Sequence, residues 1–371
     1  MSAGTSRRFS RREFIKLLAA AGGTVAGGYL LATYAPWLDY DEAALESHSA
    51  YMEDSMDDPM RELIRYAMTA ANGHNAQAWK FAIGESEITL LPDWSRRLAV
   101  VDPDDRELWI SLGCALENLL IAARATGYVA EVAYPGGQEF IRVKLQVDLQ
   151  QPEPLFKAIP LRQNTRSTYD GRPVVSADFA RLQAMPLEPG VSLSFASTPE
   201  RLAVAADAVY SATLRQYADR AFIDELIAWL RFTRKEAMTT ADGLFSRCSG
   251  NPEAPRWLGK RVVAGTKPEK QAQADADKMR SSAGAVVIAS RVDEPAAWVR
   301  VGQVYERLAL TMTSLGIQSA FLNQPIEVAG LRGEFQSAMG LGNALPQLLV
   351  RYGHGPALPR SLRRPLQQVL A

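Results

Sequence analysis

The sequence contains few of the residues that build disulfide frameworks and metal sites. Among its 371 residues there are two cysteines, Cys114 and Cys248, and three histidines. The cysteines stand far apart and no histidine cluster accompanies them, which argues against a disulfide scaffold and against a zinc site. A single disulfide between them stays open as an alternative. Because Cys114 lies in an apolar helical pattern, we expect it to be a core residue.

The chain also lacks an excess of charge of either sign. Its 41 basic and 41 acidic side chains cancel, so no overall field favours nucleic acid or an acidic polymer as a partner. Partners must therefore be inferred from local motifs. At 371 residues the chain exceeds what one hydrophobic core usually holds, which favours two domain-sized units or one large pseudo-symmetric unit.

Long uncharged stretches are scarce, and the longest lies near the N-terminus. Residues 10–16 read Ser-Arg-Arg-Glu-Phe-Ile-Lys and resemble the twin-arginine export motif. Residues 17–38 follow without any charged side chain, as in a signal peptide. The twin-arginine route carries folded cargo, so it suits a protein that acquires a cofactor in the cytoplasm. We therefore expect residues 1–40 to be a signal read by the twin-arginine translocase, and the protein to be periplasmic.

The residues at the end of this segment bear on whether the signal is cleaved. The small-x-Ala option Thr33-Tyr34-Ala35 is followed by Pro36, which usually blocks signal peptidase. The uncharged run is long enough to span a bilayer, so retention as a membrane anchor through residues 17–38 is favoured. The alternative is a buried helix behind a basic surface turn.

Periodicity and turn residues predict a mixed chain of helices and strands. Asp58-Pro59 marks the start of a helix that ends at Asn72-Gly73. Residues 39–58 read as an acidic linker in which His48 is solvated. Residues 238–280 lack clean periodicity and predict a long excursion, a candidate lid. Further helices are predicted over 102–127, 199–237 and 294–315, and strands over 79–83, 87–91, 128–134, 140–147, 283–290 and 345–352.

Two long helices of the chain share an internal repeat. At a spacing of 189 residues, one set of five residues matches another: Trp109, Gly113, Glu117, Leu119 and Gly127 against Trp298, Gly302, Glu306, Leu308 and Gly316. Shared apolar periodicity of unrelated helices is the alternative. A duplicated α+β unit would form within one chain the two-fold interface that other proteins make by dimerising. We expect a monomer with a first half over 41–160 and a second over 161–371.

A polar turn after the first globular helix is the main candidate site. Residues 73–79 read Gly-His-Asn-Ala-Gln-Ala-Trp, immediately before a predicted strand. Two amides, an imidazole and exposed backbone can present several donors and acceptors to one flat heteroaromatic ligand. The alternative is an ordinary turn in which Trp79 belongs to the core.

This turn resembles the Pro-Ser-x-x-Asn-x-Gln-Pro-Trp stretch of the nitroreductase superfamily, and its His-Asn form is similar to the Acg-like FMN-binding branch. Residues 162–166, Arg-Gln-Asn-Thr-Arg, resemble the Arg-x-Ser/Thr-x-Arg segment that holds the FMN phosphate and ribityl chain, a task that suits guanidinium forks. Residues 323–325 resemble the segment that passes the pyrimidine and N5 edge of the ring. Arg363 and Arg364 resemble the basic tail that reaches the phosphate.

The resemblance implies an α+β, nitroreductase-like fold of two pseudo-symmetric halves, an internal pseudo-dimer with one FMN in the cleft. FMN would supply the redox chemistry, so no catalytic side chain is required, and the sequence shows no isolated carboxyl pair for acid-base work and no metal ligands. Solvated surface arginine is the alternative for the basic positions. The expected cofactor-binding residues are Gly73, His74, Asn75, Gln77, Trp79, Arg162, Asn164, Arg166, Asn323, Gln324, Pro325, Arg363 and Arg364.

Three functions remain open at this point. The first is an exported FMN-dependent oxidoreductase that passes electrons or hydride from a small-molecule donor to a quinone, nitro compound or other conjugated acceptor. The second is a non-catalytic protein that stores or sequesters flavin under a closed lid. The third is an exported scaffold without a cofactor. The chain departs from the family pattern where Ala78 replaces proline, Asn72-Gly73 replaces Pro-Ser, and Asn164 replaces a hydroxyl residue.

Overall fold

The computed structural model describes residues 40–49, 58–137 and 139–371. The expected signal and anchor lie outside the described residues. The chain folds into helices and antiparallel sheets, so the expected α+β class is confirmed. Among the described residues one helix, Arg106–Ala125, is long and apolar enough to cross a membrane, and its burial identifies it as a core helix.

The first half combines three helices with one sheet. Asp58 caps the second helix, because its carboxylate accepts hydrogen bonds from the backbone N–H of Met60 and Arg61. The third helix is the predicted long apolar one. The elements are helices α1 (Tyr40–Ser49), α2 (Pro59–Met68) and α3 (Arg106–Ala125), and strands β1 (Trp79–Ile83), β2 (Glu87–Pro92), β3 (Tyr128–Ala133) and β4 (Ile141–Val147).

The second half carries more helices around a second sheet. Its helices are α4 (Ser176–Gln183), α5 (Pro199–Ala218), α6 (Arg220–Trp229), α7 (Arg234–Thr240), α8 (Arg256–Ala264), α9 (Pro268–Arg280), α10 (Pro295–Ser314), α11 (Gln324–Glu327) and α12 (Arg332–Ala338). Its strands are β5 (Val191–Ala196), β6 (Leu230–Arg231), β7 (Leu244–Phe245), β8 (Gly284–Ser290), β9 (Gln318–Phe321) and β10 (Leu345–Gly353).

The two large sheets share one topology. The first has the order β1-β2-β4-β3 and the second the order β5-β8-β10-β9, with every neighbouring pair antiparallel. In each sheet the fourth strand along the chain therefore lies between the second and the third. The short strands β6 and β7 form a separate parallel pair. The repeated order agrees with two pseudo-symmetric halves.

The two long helices α3 and α10 meet through a pair of glycines. A Cβ atom added to Gly113 would lie 2.0 Å from the carbonyl oxygen of Val299, and one added to Gly302 would lie 2.0 Å from that of Ile110. These two contacts are related by the repeat spacing, so each half presents the same surface to the other, as in a two-fold interface. Because no side chain separates them, the helix backbones touch.

The C-terminal residues and the connector after residue 160 each pair with one of the two large sheets. The C-terminal residues return to the first sheet, where Phe81 donates its N–H to Val369 and accepts from the N–H of Ala371. The connector between the halves adds to the second sheet, where the N–H of Thr165 donates to Ser319. The C-terminal end of the chain therefore packs with the first half.

Two sequence-based expectations are corrected here. Residues 40–49 form helix α1 rather than part of a linker, and His48 is 4% exposed rather than solvated. Tyr40, Ala44 and His48 are four residues apart, so they lie on one face of α1, and that face packs inward. The ring Nδ1 of His48 lies 2.8 Å from the carbonyl oxygen of Ala44.

The stretch 238–280 is also more regular than expected. It contains the end of α7, all of α8 and all of α9. Helix α9 packs against α5 and buries Ala272, Ala276 and Met279. Two of these three buried positions are alanines set among charged residues, so the apolar periodicity is weak and the sequence pattern misses the helix.

The glycine contact gives a stability prediction. We expect Gly113→Ala and Gly302→Ala each to lower the free energy of unfolding by about 3 kcal/mol or more, because a methyl group cannot fit against a rigid carbonyl without separating the helices. Urea denaturation measures the change. Gly333→Ala is the matched control, since it also lies in a helix but meets nothing within 4 Å, and it should gain roughly 0.5 kcal/mol. Equal effects at all three glycines would contradict the close packing.

Candidate functional site

The polar turn after α2 is held in a strained conformation. His74, Asn75 and Gln77 have φ angles of 49°, 52° and 52°, in the left-handed region that residues other than glycine rarely adopt. Such strain persists only where the surrounding contacts enforce it, and it is common at ligand sites. The turn therefore differs from an ordinary surface turn.

Side-chain amides fasten this turn to a segment that crosses over it, residues 241–248. The Nδ2 of Asn75 donates to the carbonyl oxygens of Gly243 and Leu362, each at 3.2 Å, and the N–H of Gly243 donates back to the carbonyl of Asn75. The Nε2 of Gln77 donates to the carbonyl of Ala241 at 2.9 Å. We call residues 241–248 the covering segment.

Beneath the covering segment lies a cavity lined by basic groups, named here the basic cavity. Its volume is about 50 Å³. Gly243, Leu244, Phe245 and Cys248 form its cover. Five lining residues are arginine or histidine: His48, Arg162, Arg166, Arg360 and Arg363.

The arginines of the basic cavity differ in their partners. Arg363 is fully engaged, because it donates to the carbonyl oxygens of Met68, Thr69 and Ala70 at the end of α2 and to the amide oxygen of Asn75. Arg360 donates to the backbone carbonyl oxygens of residues 160 and 161. These contacts fix two cations at the rim.

Arg162 and Arg166 retain free donors. Arg162 forms a buried ion pair of 2.8 Å with Glu306, yet its Nη1 has no hydrogen-bond partner in the described part of the chain. Arg166 forms no hydrogen bond or ion pair with any described residue, and burial lowers the pKa of its guanidinium. A cation taken from water without a partner is costly unless an anion joins it, so this cavity is suited to an anionic group.

A second cavity adjoins the basic cavity and has a different character. The two share Ala71, Asn72 and Arg166. The second cavity, named here the carboxyl cavity, has a volume of about 110 Å³. Its remaining walls combine apolar side chains with the strained turn and two carboxyl groups: Gly73, His74, Ile110, Ser111, Cys114, Phe321, Leu348, Asn323, Glu107 and Glu327.

The two carboxyl groups of this cavity come from opposite halves of the molecule. Glu107 stands on α3 and Glu327 on α11, and the amide Nδ2 of Asn323 donates to Glu107. Glu107 also pairs with Arg106 at 2.9 Å, while Gln216 donates to Glu327 at 2.7 Å. Burial, and then the neighbouring Glu327, raise the pKa of Glu107 to about 7. Burial also raises the pKa of Glu327.

The two histidines near the cavities have the opposite tendency. Burial, and then the nearby Arg166, lower the pKa of His74 to about 4. Burial, and then Arg363, lower the pKa of His48 to about 3. Both imidazoles are therefore neutral at physiological pH, and the positive charge of the basic cavity comes from its arginines.

The structure brings together most of the residues expected to bind the cofactor. Those that line one or both cavities are Gly73, His74, Asn75, Arg162, Asn164, Arg166, Asn323 and Arg363. Within this set Asn164, which replaces the family's hydroxyl residue, accepts a hydrogen bond from Tyr305. The amide thus retains a polar role at the cavity wall.

Five expected residues are not placed at either cavity. Trp79 is fully buried in the main core, and Gln77 links the covering segment to the backbone N–H of Arg364. Arg364 donates to the carbonyl of Gln77 and pairs with Asp93, so Arg363 alone of the two tail arginines reaches the basic cavity. Pro325 opens the short helix α11, and Gln324 points to Asp275 on α9.

Sequence reasoning also missed four acidic or basic residues that line the cavities. Glu107 and Glu327 lie 220 positions apart in the sequence, so no local pattern joins them, and the carboxyl pair judged absent from the sequence is present in the fold. His48 and Arg360 come from the first helix and the proline-rich C-terminal loop. The four-residue spacing of Tyr40, Ala44 and His48 was the signal available in the sequence, because it marks one face of a helix that packs inward.

Curated proteins similar to this chain are named as putative NAD(P)H nitroreductases. No family model matches the sequence. The chain is 28% identical to a "Putative NAD(P)H nitroreductase" of Mycobacterium tuberculosis H37Rv over 322 residues, which covers 84% of this chain and 90% of that protein. It is 24% identical to the "Putative NAD(P)H nitroreductase acg" of the same organism, covering 86% and 97% of the two chains.

Solved structures with a similar arrangement have lower identity. A nitroreductase-like family protein from Bacillus cereus is 13% identical with a TM-score of 0.36, covering 59% of this chain and 96% of that one. The nitroreductase NfnB from Mycobacterium smegmatis is 14% identical with a TM-score of 0.36, covering 58% and 96%. The sequence similarity to the M. tuberculosis proteins extends over both halves, so the chain is similar along most of its length to proteins named as putative nitroreductases.

Proposed function

We propose that this chain is an FMN-dependent oxidoreductase of the Acg-like branch, exported by the twin-arginine route. The observation that carries the proposal is the junction of the basic cavity and the carboxyl cavity. One has free guanidinium donors, the other has apolar walls with a few polar groups, and they share Arg166. FMN has the same two parts, a phosphate and a flat ring. The M. tuberculosis relatives are named as nitroreductases, and several similar solved structures carry FMN in their titles.

The basic cavity would hold the phosphate. Arg166 has no described partner, and Arg162 offers its free Nη1. Arginine donors form charge-assisted hydrogen bonds with phosphate oxygens, and paired donors match the spacing of those oxygens. Bringing a phosphate to this cavity would supply the anion that Arg166 lacks. No carboxylate lines the basic cavity among the described residues, so the phosphate would meet no like charge there.

The carboxyl cavity would hold the ring. Ile110, Cys114, Phe321 and Leu348 supply apolar walls, and the backbone of Gly73 and of the strained residue His74 supplies polar groups at one edge. A small number of placed polar groups in an otherwise apolar pocket is the usual composition of a ligand site. The neutral imidazole of His74 can accept or donate one hydrogen bond there.

The carboxyl pair would manage protons. FMN, when bound, supplies the hydride or electron transfer between a reduced donor and a quinone, nitro or other conjugated acceptor. Transfers of this kind to an acceptor require protons as well as electrons. Glu107, with a pKa near 7, can hold a proton at neutral pH and release it at the cavity wall. Asn323 keeps its carboxyl group in place.

A second function is favoured by the covering segment. Hydrogen bonds from Asn75 and Gln77 fasten residues 241–248 over the basic cavity. A cover fixed in this way would restrict exchange of a bound cofactor. That arrangement supports storage or sequestration of flavin as the alternative to turnover.

Binding of FMN is the first test. Protein purified with FMN should be yellow, and Arg166→Gln should raise the Kd for FMN by about 10- to 100-fold, since a hydrogen bond to a charged group contributes roughly 1.5–3 kcal/mol. Quenching of flavin fluorescence measures the Kd. Arg181→Gln is the matched control, because Arg181 is a 68% exposed arginine remote from both cavities.

The outcomes of this test separate the alternatives. Colourless protein that gains no colour with added FMN, or an equal Kd for Arg166→Gln and Arg181→Gln, would refute the cofactor assignment. If FMN binds, anaerobic titration with NADPH, a quinol and dithionite distinguishes a reductase from a store. A flavin reduced by dithionite alone would favour storage, and one reduced by NADPH or a quinol would favour turnover.

The buried carboxyl of Glu107 gives a pH prediction. Its folded pKa lies above its ordinary value, so between about pH 4.5 and pH 7 the unfolded chain loses a proton that the folded chain keeps, and stability falls as pH rises. The free energy of unfolding of Glu107→Gln, taken relative to that of the parent, should therefore rise by roughly 2 kcal/mol as the pH is raised from 5 to 8. Urea denaturation without cofactor measures this. The exposed Glu85→Gln should follow the parent at both pH values, and a Glu107→Gln curve parallel to the parent would refute the raised pKa.

Export has its own test. Replacing Arg11 and Arg12 with lysine should leave the chain in the cytoplasm, because the translocase reads the consecutive arginines of the motif. Cell fractionation and immunoblotting measure the location. Arg7 and Arg8 form a second arginine pair outside the motif, so replacing them with lysine is a matched control that should leave export intact. Periplasmic protein from the Arg11, Arg12 variant would remove the twin-arginine proposal.

A further inference from the structure

Helix α8 exposes more apolar surface than its neighbours. Trp257 is 70% exposed, Val262 61% and Leu258 38%. Scattered single apolar residues are ordinary on protein surfaces, but a cluster of this kind marks an interaction site. More than a third of the surface of each of these three residues is open to solvent. We call the surface formed by these three residues and the basic groups beside them the α8 surface.

The way α8 is seated explains the exposure. Gly259 faces inward, and a Cβ atom there would lie 2.2 Å from the ring of Phe232. The helix therefore approaches the body of the protein closely along a narrow line. Val263, beside that line, packs with the residues of α6. Most of the other residues of the helix, including Trp257, are exposed to solvent.

Exposed basic side chains lie close in the sequence to the exposed apolar ones. Lys260 and Arg261 lie on the helix, and Lys267 and Lys270 follow it; all four are exposed. None of them has an ion pair or side-chain hydrogen bond with a residue that the structure describes. The carboxylates of Glu236 and Glu253 are paired with Arg256 and Arg234, and the exposed Glu269 is one carboxylate against these four basic groups. The α8 surface is therefore locally positive although the chain as a whole is neutral.

Tryptophan with aliphatic neighbours and free basic groups has a specific physical preference. The indole ring favours the boundary between water and hydrocarbon, where its N–H remains hydrated. Each lysine or arginine near an anionic bilayer adds to the electrostatic attraction between protein and bilayer. Protein interfaces, by contrast, are depleted in lysine. Charge complementarity thus favours anionic lipid headgroups over another protein.

The same chain carries a reason to be near a bilayer. Residues 17–38 contain no charged side chain and are long enough to span one. We propose that the α8 surface docks onto an anionic lipid surface, with Trp257, Leu258 and Val262 at the headgroup boundary and the four basic groups against the phosphates. This inference does not depend on which molecule occupies the two cavities.

Fluorescence quenching in vesicles tests the proposal. The full chain is reconstituted into phosphatidylcholine vesicles, or into vesicles of phosphatidylcholine with phosphatidylglycerol, each carrying brominated acyl chains that quench nearby tryptophan. Quenching should be at least two-fold larger with phosphatidylglycerol, and Trp257→Phe should remove that increment. Trp94→Phe is the matched control, because Trp94 is 40% exposed and lies outside helix α8; it should retain the increment.

The basic groups are tested in the same experiment. Replacing Lys260 and Arg261 with glutamine should reduce the phosphatidylglycerol-dependent increment by half or more, without change in the thermal unfolding midpoint, since both side chains are exposed and unpaired. An increment that survives Trp257→Phe, or that is the same in the Lys260, Arg261 variant as in the parent, would overturn the proposal. Equal quenching in both vesicle types would overturn it too, and would leave the α8 surface to a protein partner.

Discussion

The arrangement of this protein depends on direct backbone contact between α3 and α10 at Gly113 and Gly302. Where no side chain separates two helices, residues further along each helix come within reach of the opposite half. Glu306 on α10 thus accepts a hydrogen bond from the N–H of Ala71 at the end of α2 and pairs with Arg162. Both contacts are buried, so replacing either Arg162 or Glu306 with a neutral residue would leave the charge of the other uncompensated. The helix crossing therefore fixes the position of the polar turn relative to the arginines of the connector.

The repeat also shows how the two sides of the interface have diverged. Glu117 is the counterpart of Glu306, but it accepts two hydrogen bonds from Arg307, at 2.8 and 2.9 Å. Arg307 belongs to the opposing helix, so this pair closes the interface between α3 and α10. Arg162 comes instead from the connector and leaves a donor for the basic cavity. Equivalent carboxylates thus serve a packed contact on one side and a cavity wall on the other.

The sequence predicts the framework better than the cavity. Caps such as Asp58, the glycine-bounded long helices and the alternating strands are local patterns, and the structure confirms them within a few residues. The repeat that includes Gly113 and Gly302 predicted a two-fold interface within the chain, but it did not indicate which helices form that interface. Local patterns cannot show that Glu107 and Glu327 face each other, because they lie on different halves. Nor could they show that Arg363 rather than Arg364 reaches the cavity, since that choice depends on which side chain caps α2.

The two cavities respond differently to pH, and this difference follows from which groups each contains. Positive charge in the basic cavity comes from arginines, which keep their protons throughout the physiological range, while His48 and His74 are neutral there because of burial. Attraction for an anion should thus vary little with pH. In the carboxyl cavity, by contrast, a pKa near 7 for Glu107 lets a proton be taken up or released under ordinary conditions. Because Arg166 borders both cavities, the group that would hold the anion also lies beside the site of proton exchange. Under the proposed function, Arg166 would bind the anion and Glu107 would exchange the proton, and both side chains line the carboxyl cavity.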